Sequence, residues 1–168
     1  YWDSVPLKAR IAQHYLDTYG AEVAPRRIAI TCGASPALVL ALATAFKPGD
    51  RIALARPGYV AYRNTIRALN LEPAEIACGE AERFQLTADA LAALDPAPQG
   101  IILASPANPT GTIIPEAELS AIADVARRIG ARIISDEIYH GLTFGPKLHS
   151  MLELEPSAYI VNSFSKYF

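Results

Sequence analysis

The sequence predicts an α/β fold built on a mainly parallel sheet. Three observations carry that expectation. Short apolar, β-rich runs alternate with longer segments whose apolar residues recur every three to four positions. The loops between them are short and dense in Gly and Pro. The alternation then repeats along the chain, as successive βαβ units do when right-handed crossovers bring parallel strands side by side.

The elements follow in order. Leu7, Ile11, Tyr15 or Leu16, and Tyr19 fall at helical steps between Pro6 and Tyr19, and Gly20 stands where a left-handed residue ends a helix. Arg27 to Cys32 (Arg-Ile-Ala-Ile-Thr-Cys) is a predicted strand. Gly33-Ala34-Ser35 turns it into an Ala- and Leu-rich helix with Pro36 in its first turn. Lys47-Pro48-Gly49-Asp50 is a turn, Arg51 to Ala55 a strand, and Arg56-Pro57-Gly58-Tyr59 a loop feeding a helix through Leu69. Glu75 to Cys78 is a further strand, Gly79 to Gln85 a polar, exposed connection, and Thr87 the cap of a short helix to Leu94. Ile101 to Ala104 is an apolar strand running into Ser105-Pro106-Ala107-Asn108-Pro109-Thr110-Gly111. Pro115 opens a helix with Leu119, Ile122, Ala126 and Ile129 on one side, and Gly130 ends it. Arg132 to Asp136 is a buried strand with Tyr139 just beyond it. Tyr159 to Asn162 is the last strand, followed by Ser163-Phe164-Ser165-Lys166.

Composition sets the bounds. The 168 residues are 51% hydrophobic and 19% charged with a formal net charge of −2, which argues against disorder and against the basic footprint of a nucleic-acid binder. A chain of this length is one ordinary domain. Cys32 and Cys78 are too few for a disulfide framework and lack metal-ligand spacing, so both are expected reduced and buried, in a cytoplasmic protein. The longest apolar run, Ala37 to Phe46, is short of the roughly 20 residues of a membrane span. The first residue is Tyr1 and the last Phe168, and the chain reads as a fragment of a longer one.

Each loop singled out follows a strand, so all can converge on one edge of the sheet, where open α/β sheets bind ligands. Asn108, Asp136 and Lys166 stand 28 and 30 residues apart, each about one βαβ step, which lines one crevice with an amide, a carboxylate and an amine. An acid at the end of a buried strand needs a cation or a donor, either a protein base or a ring nitrogen. Gly33-Ala34-Ser35 sets backbone N–H groups and a hydroxyl at a helix N-terminus, which suits a phosphate. Tyr59 offers an aromatic face to a flat ring. An aromatic, phosphorylated aldehyde meets all of these needs at once. Singly, each residue has a blander reading: Asp136 as a cap or ion pair, the Asn108 loop as a turn, Lys166 as a solvated surface residue. Tyr15, Tyr19 and Tyr62 sit at helical spacing and read as packing. His140 reads as a packed, hydrogen-bonded residue, His14 and His149 have no partner legible in the sequence, and Cys32 reads as a small core residue.

The order and spacing of Ser105-Pro106-Ala107-Asn108-Pro109-Thr110-Gly111-Thr112, Ser135-Asp136-Glu137-Ile138-Tyr139 and Asn162-Ser163-Phe164-Ser165-Lys166, with Gly33-Ala34-Ser35 and Pro57-Gly58-Tyr59, resemble the class I/II aminotransferases, pyridoxal-phosphate enzymes of fold type I. The resemblance covers nearly the whole chain and implies the three-layer α/β/α large domain of that family, over residues 1–168, with the N-terminal arm and C-terminal small domain absent. It implies that Lys166 forms the internal aldimine with pyridoxal 5'-phosphate, that Asp136 pairs with the pyridine nitrogen, and that Asn108 and Tyr139 bond the ring's phenolic oxygen. Ala34, Ser35 and Ser163 would hold the phosphate and Tyr59 would stack on the ring. Amino acid and 2-oxo acid substrates and a homodimer are implied in the same way, while the tyrosine that a neighbouring subunit often sends to the phosphate is not placed by any motif of this sequence, Tyr1 being a weak candidate. Two arginines of the family, one on the phosphate and one on the substrate carboxylate, would lie beyond Phe168. β-Elimination, decarboxylation and acyl condensation use the same frame and stay open, as does a folded but inactive cofactor-domain core. Ser163-Phe164-Ser165-Lys166 also fits the Ser-x-x-Lys nucleophile of penicillin-binding proteins, yet the Ser-Asp-Asn and Lys-Thr-Gly motifs that should follow it do not occur.

Overall fold

The computed structural model describes residues 4–145 and 147–167. Five strands, β1 (Arg51–Arg56), β2 (Glu72–Ala77), β3 (Gly100–Ala104), β4 (Arg132–Asp136) and β5 (Tyr159–Val161), form one sheet in the order β2-β1-β3-β4-β5. Every neighbouring pair is parallel. The helices are α1 (Val5–Tyr19), α2 (Ala34–Ala45), α3 (Val60–Ala68), α4 (Ala88–Ala92), α5 (Glu116–Ile129), α6 (Met151–Leu154) and α7 (Phe164–Tyr167).

The two-residue period of the strands divides the core. Ile101, Leu103 and Ile133 meet Leu119, Ile122 and Ala126 of α5, with Leu91 of α4 in the same cluster. The alternate residues Ile102 and Ile134, with Ile52, Leu54 and Val161, meet Leu38 and Leu42 of α2 and Tyr62 and Ile66 of α3. The result is three layers, helix on sheet on helix, as expected of parallel strands buried on both faces. Asp136 lies two residues after Ile134 and therefore faces α3.

The strand order reverses between β1 and β3, so the C-terminal ends of those two strands diverge around a crevice. A small cavity there is lined by Pro57, Gly58, Tyr59 and Tyr62 on one side and by Ala104 and Asn108 on the other. Gly58 is required by close approach, since a Cβ would stand 2.6 Å from the Ala55 carbonyl oxygen. Gly20 and Gly130 end α1 and α5 in the left-handed conformation, at φ 68° and 72°.

The run Arg27 to Cys32 departs from expectation. Pro25–Arg27 is a 3-10 turn, and residues 28–32 are not strand. Ile28 is extended, at φ −102° and ψ 122°, so the β propensity is expressed in the backbone without sheet pairing. Cys32 is accordingly exposed rather than in the core, while Cys78 is buried as expected. Gln85, expected in an exposed stretch, is buried because its amide donates to the carbonyls of Ala104 and Thr112, at 3.1 and 2.8 Å.

Candidate functional site

Asp136 ends β4 with only 9% of its surface exposed. Its Oδ2 accepts from the Tyr62 hydroxyl at 2.5 Å and its Oδ1 from the Ile138 N–H at 3.2 Å. Burial raises the carboxyl's pKa above its ordinary value, against the two donors, which favour the charged form. Burial, followed by the nearby carboxylate, pushes the Tyr62 phenol well above the tyrosine range, so the proton stays on Tyr62 and the phenol is the donor. Tyr62 was expected only to pack. It does pack, at 6% exposure on α3, yet its hydroxyl also holds a carboxylate 74 residues away.

Tyr59 caps α3 and stands edge-on to Tyr62, with ring centroids 5.4 Å apart and planes at 86°. It is 39% exposed, on the rim of the crevice. Across the crevice, Asn108 Nδ2 donates to the Tyr139 hydroxyl at 3.5 Å, joining the loop after β3 to the turn after β4. The Asn108 loop is held from below: the Ala107 N–H donates to the Thr112 carbonyl at 2.9 Å, and the Ile114 N–H to Ser105 Oγ at 3.0 Å.

Gly33 opens α2 at φ 136°, a conformation open to glycine and strained for other residues. No side chain caps this end, so Ala34 and Ser35 present first-turn N–H groups of a twelve-residue helix. Ala34 packs against the core cluster that α2 shares with the sheet, the same cluster that Ala104 borders at the end of β3. Ser163 follows β5; its N–H donates to Asn162 Oδ1 at 2.7 Å and its hydroxyl accepts from the Ser165 N–H at 3.1 Å. Lys166, on α7, is exposed. Among the described residues no hydrogen bond joins Lys166 to Asp136, Asn108 or Tyr139. The structure thus sets Tyr59 and Asn108 on the crevice, joins Asp136 to it through Tyr62 and Tyr139 to it through Asn108, and carries Ser163 and Lys166 on the segment that follows β5 and Ala34 and Ser35 in the first turn of α2. Tyr1 lies outside the described residues.

Two buried groups beside the site were not singled out as functional from the sequence. Glu137 is 1% exposed, yet its carboxylate is solvated by protein donors: Ser135 Oγ at 3.1 Å, Ser150 Oγ at 2.9 Å and the Met151 N–H at 2.9 Å. Burial outweighs these donors and lifts its pKa from 4.5 to about 7. Its Oε2 lies 3.8 Å from Nδ1 of His140. His140 is hydrogen-bonded at both nitrogens, Nδ1 to the Tyr19 hydroxyl at 2.8 Å and Nε2 to the Ser105 carbonyl at 2.9 Å, which bears out its reading as a packed residue. Burial lowers its pKa from 6.5 to about 4, so the ring is neutral at pH 7. His149, by contrast, has partners the sequence did not reveal, in Glu116 at 3.4 Å and Glu153 at 3.2 Å.

The donor set fits pyridoxal phosphate. A buried carboxyl with an elevated pKa favours a protonated ring nitrogen as its neighbour, since a cation returns it to the charged form. The amide of Asn108 and the phenol of Tyr139 suit a phenolic oxygen, and the bare N-terminus of α2 suits a phosphate. Among the described residues no group of His, Cys, Asp and Glu is placed to hold a metal ion, and no helix is long and apolar enough to cross a membrane.

Comparison with known proteins places these observations. Residues 2–168 match the family Aminotransferase class I and II. The chain is 46% identical over 164 residues to the valine–pyruvate aminotransferase of Mycobacterium tuberculosis, covering 96% of this chain and 42% of that protein. It is 31% identical to the aspartate aminotransferase of Geobacillus stearothermophilus, covering 95% and 42%. A crystal structure of an aminotransferase from Mycobacterium tuberculosis superposes with a TM-score of 0.93 at 47% identity, again over 96% of this chain and 42% of the other. The chain therefore spans less than half the length of the curated relatives it matches.

Proposed function

The chain belongs to the class I and II aminotransferase family, which depends on pyridoxal phosphate, and we propose that it is the cofactor-binding part of an enzyme transferring an α-amino group between an amino acid and a 2-oxo acid. The observation that carries this reading is the buried Asp136 at the end of β4, held by Tyr62 on one side of a crevice whose other side carries Asn108, itself bonded to Tyr139. In the whole protein, an N-terminal arm and a C-terminal small domain complete the substrate site, two copies pair, and the enzyme works in the cytoplasm on amino acid metabolism.

When bound, pyridoxal phosphate supplies an electron sink for the pair released as the substrate's Cα–H bond breaks. This chain's residues prepare that chemistry. Asp136 keeps a proton on the ring nitrogen, and Tyr62 and Ile138 fix the orientation of its carboxylate. Asn108 and Tyr139 would donate toward the phenolic oxygen and so tune the proton affinity of the nitrogen beside it. The first turn of α2, with Ala34 and Ser35, and Ser163 after β5 anchor the phosphate, and Tyr59 covers the ring. Lys166 provides the amine that links protein to cofactor and moves the proton at the substrate's Cα.

The amino donor of the 46%-identical relative makes valine with pyruvate the first pair to assay. With the full-length protein, alanine formation from that pair or from a panel of donors is expected, and Lys166→Ala should abolish it. Substantial transamination by Lys166→Ala would sink the assignment of Lys166. Loss of amino transfer with retained elimination or decarboxylation would move the enzyme to another chemistry on the same frame.

A further inference from the structure

Helix α1 lies outside the strand-end loops, yet its tyrosines bond directly to two of them and reach the third through His140. Tyr15 and Tyr19 are one helical turn apart and so share a face. Both are buried, at 6% and 9% exposure, with tilted rings 5.5 Å apart in a small cluster with Ala21 and Ile160. Packing explains the rings and leaves the hydroxyls unexplained. A buried hydroxyl needs a partner, and each finds a polar side chain next to a candidate site residue. Asn162 Nδ2 donates to the Tyr15 hydroxyl at 3.2 Å, and Asn162 Oδ1 accepts from the N–H of Ser163 in the loop that leads to Lys166. The Tyr19 hydroxyl meets Nδ1 of His140, the residue after Tyr139.

The tautomer of His140 fixes the direction of the second link. Nε2 faces only a carbonyl, that of Ser105, so it carries the proton; Nδ1 is then an acceptor and Tyr19 the donor. Ser105 opens the loop of Asn108. A single chain of hydrogen bonds thus runs from α1 through His140 to the loop after β3, and its middle member sits in the turn that carries Tyr139. The titratable groups facing this link are Glu137 after β4, Glu153 of α6, and His14 and Tyr15 on α1 itself.

We propose that Tyr19 and Tyr15 are positioning residues for the cofactor site: Tyr19, through His140 and Ser105, sets Asn108 against Tyr139, and Tyr15, through Asn162, sets the Ser163 to Lys166 segment. This rests on the pyridoxal-phosphate reading of the site. Tyr19→Phe keeps the ring and removes the donor to His140, so the Asn108 and Tyr139 donors lose their fixed geometry. Weaker donation to the phenolic oxygen leaves more negative charge there, and the cofactor's titrating nitrogen holds its proton to higher pH.

The test uses the full-length protein loaded with pyridoxal phosphate, as parent, Tyr19→Phe, Tyr15→Phe and Val125→Ala. The last trims the core under α5 at a side chain that takes no part in these hydrogen bonds, and serves as a stability control. Each is titrated by visible absorbance and its cofactor affinity measured; borohydride reduction then locates the cofactor by peptide mass spectrometry. Tyr19→Phe is expected to raise the midpoint of the absorbance titration by about 0.5 pH unit, and each Tyr→Phe change to weaken cofactor binding about fivefold, the size of one net hydrogen bond. Val125→Ala should lower the melting temperature and leave the midpoint in place. An adduct at Lys166 in every protein, with neither Tyr→Phe change moving midpoint or affinity, overturns the proposal while the functional reading stands. A shift in Val125→Ala equal to that in Tyr19→Phe overturns it too, because general loosening then accounts for the effect. No adduct in the parent overturns the functional reading and this proposal with it. If Tyr19→Phe does not fold, Tyr15→Phe carries the same decision through its affinity.

Discussion

Replacing Glu137 with glutamine should change how stability depends on pH more than it changes stability at pH 7. In the fold Glu137 has a pKa of about 7 against 4.5, and His140 about 4 against 6.5. The two act in opposite directions. Because the folded pKa of Glu137 is raised, its contribution is fully present below about pH 4.5 and is lost as pH rises through about 7. Because that of His140 is depressed, its contribution is present above about pH 6.5 and is lost as pH falls through about 4. Between pH 7 and 5 the parent gains about 2 kcal/mol from Glu137, which is already half protonated at pH 7, and loses about 2 kcal/mol from His140. The effects nearly cancel. Glu137→Gln keeps an acceptor for the Met151 N–H and removes the titration, so the His140 loss is unmasked. Urea unfolding at pH 7 and pH 5 should then show the variant losing about 2 kcal/mol more than the parent over that interval. Parallel profiles for parent and variant would refute the opposed titrations.

Two further outcomes are expected. Tyr62→Phe removes the hydroxyl donor to Asp136 Oδ2, lifting that carboxyl further; a hydrogen bond to a charged group is worth about 1.5–3 kcal/mol, so cofactor affinity measured by equilibrium dialysis should fall at least tenfold. Unchanged affinity would reduce Tyr62 to packing alone. Gly100→Ala, in the first residue of β3, would set a Cβ 2.8 Å from Ile52 Cδ1 and closer still to the Phe46 ring, and should cost about 1–3 kcal/mol in urea unfolding. A neutral change would mean that Phe46 moves aside freely.

What the sequence made legible was the pattern set by short-range rules. The period of Leu119, Ile122 and Ala126 in α5 states which face is buried, and the unbroken apolar run of Ile101 to Ala104 in β3 a strand covered on both faces, as the structure has them. Gly20, Gly130 and Thr87 mark helix ends because their conformations or side chains do local work, and Thr87 Oγ1 accepts from the Ala90 N–H at 3.2 Å. Long-range partners were not legible. The spacing of Tyr62 predicts a buried ring and says nothing of a carboxylate 74 residues away. The Arg27 to Cys32 run has strand propensity, but propensity cannot state whether a neighbouring strand pairs with it. Glu137 escaped notice because its donors come partly from α6, a four-residue helix that was not predicted. That helix did carry a signal: Ser150 and Glu153 form a capping box, a spacing visible in the sequence.

The central claim is that the C-terminal edge of this sheet is a pyridoxal-phosphate site with Lys166 as its amine. Borohydride reduction of the protein incubated with pyridoxal phosphate, followed by peptide mass spectrometry, tests it most directly. Added mass confined to Lys166, and missing from that peptide in Asp136→Ala at limiting cofactor, is the result this account predicts. No adduct, or label scattered over surface lysines such as Lys47 and Lys147, would contradict it.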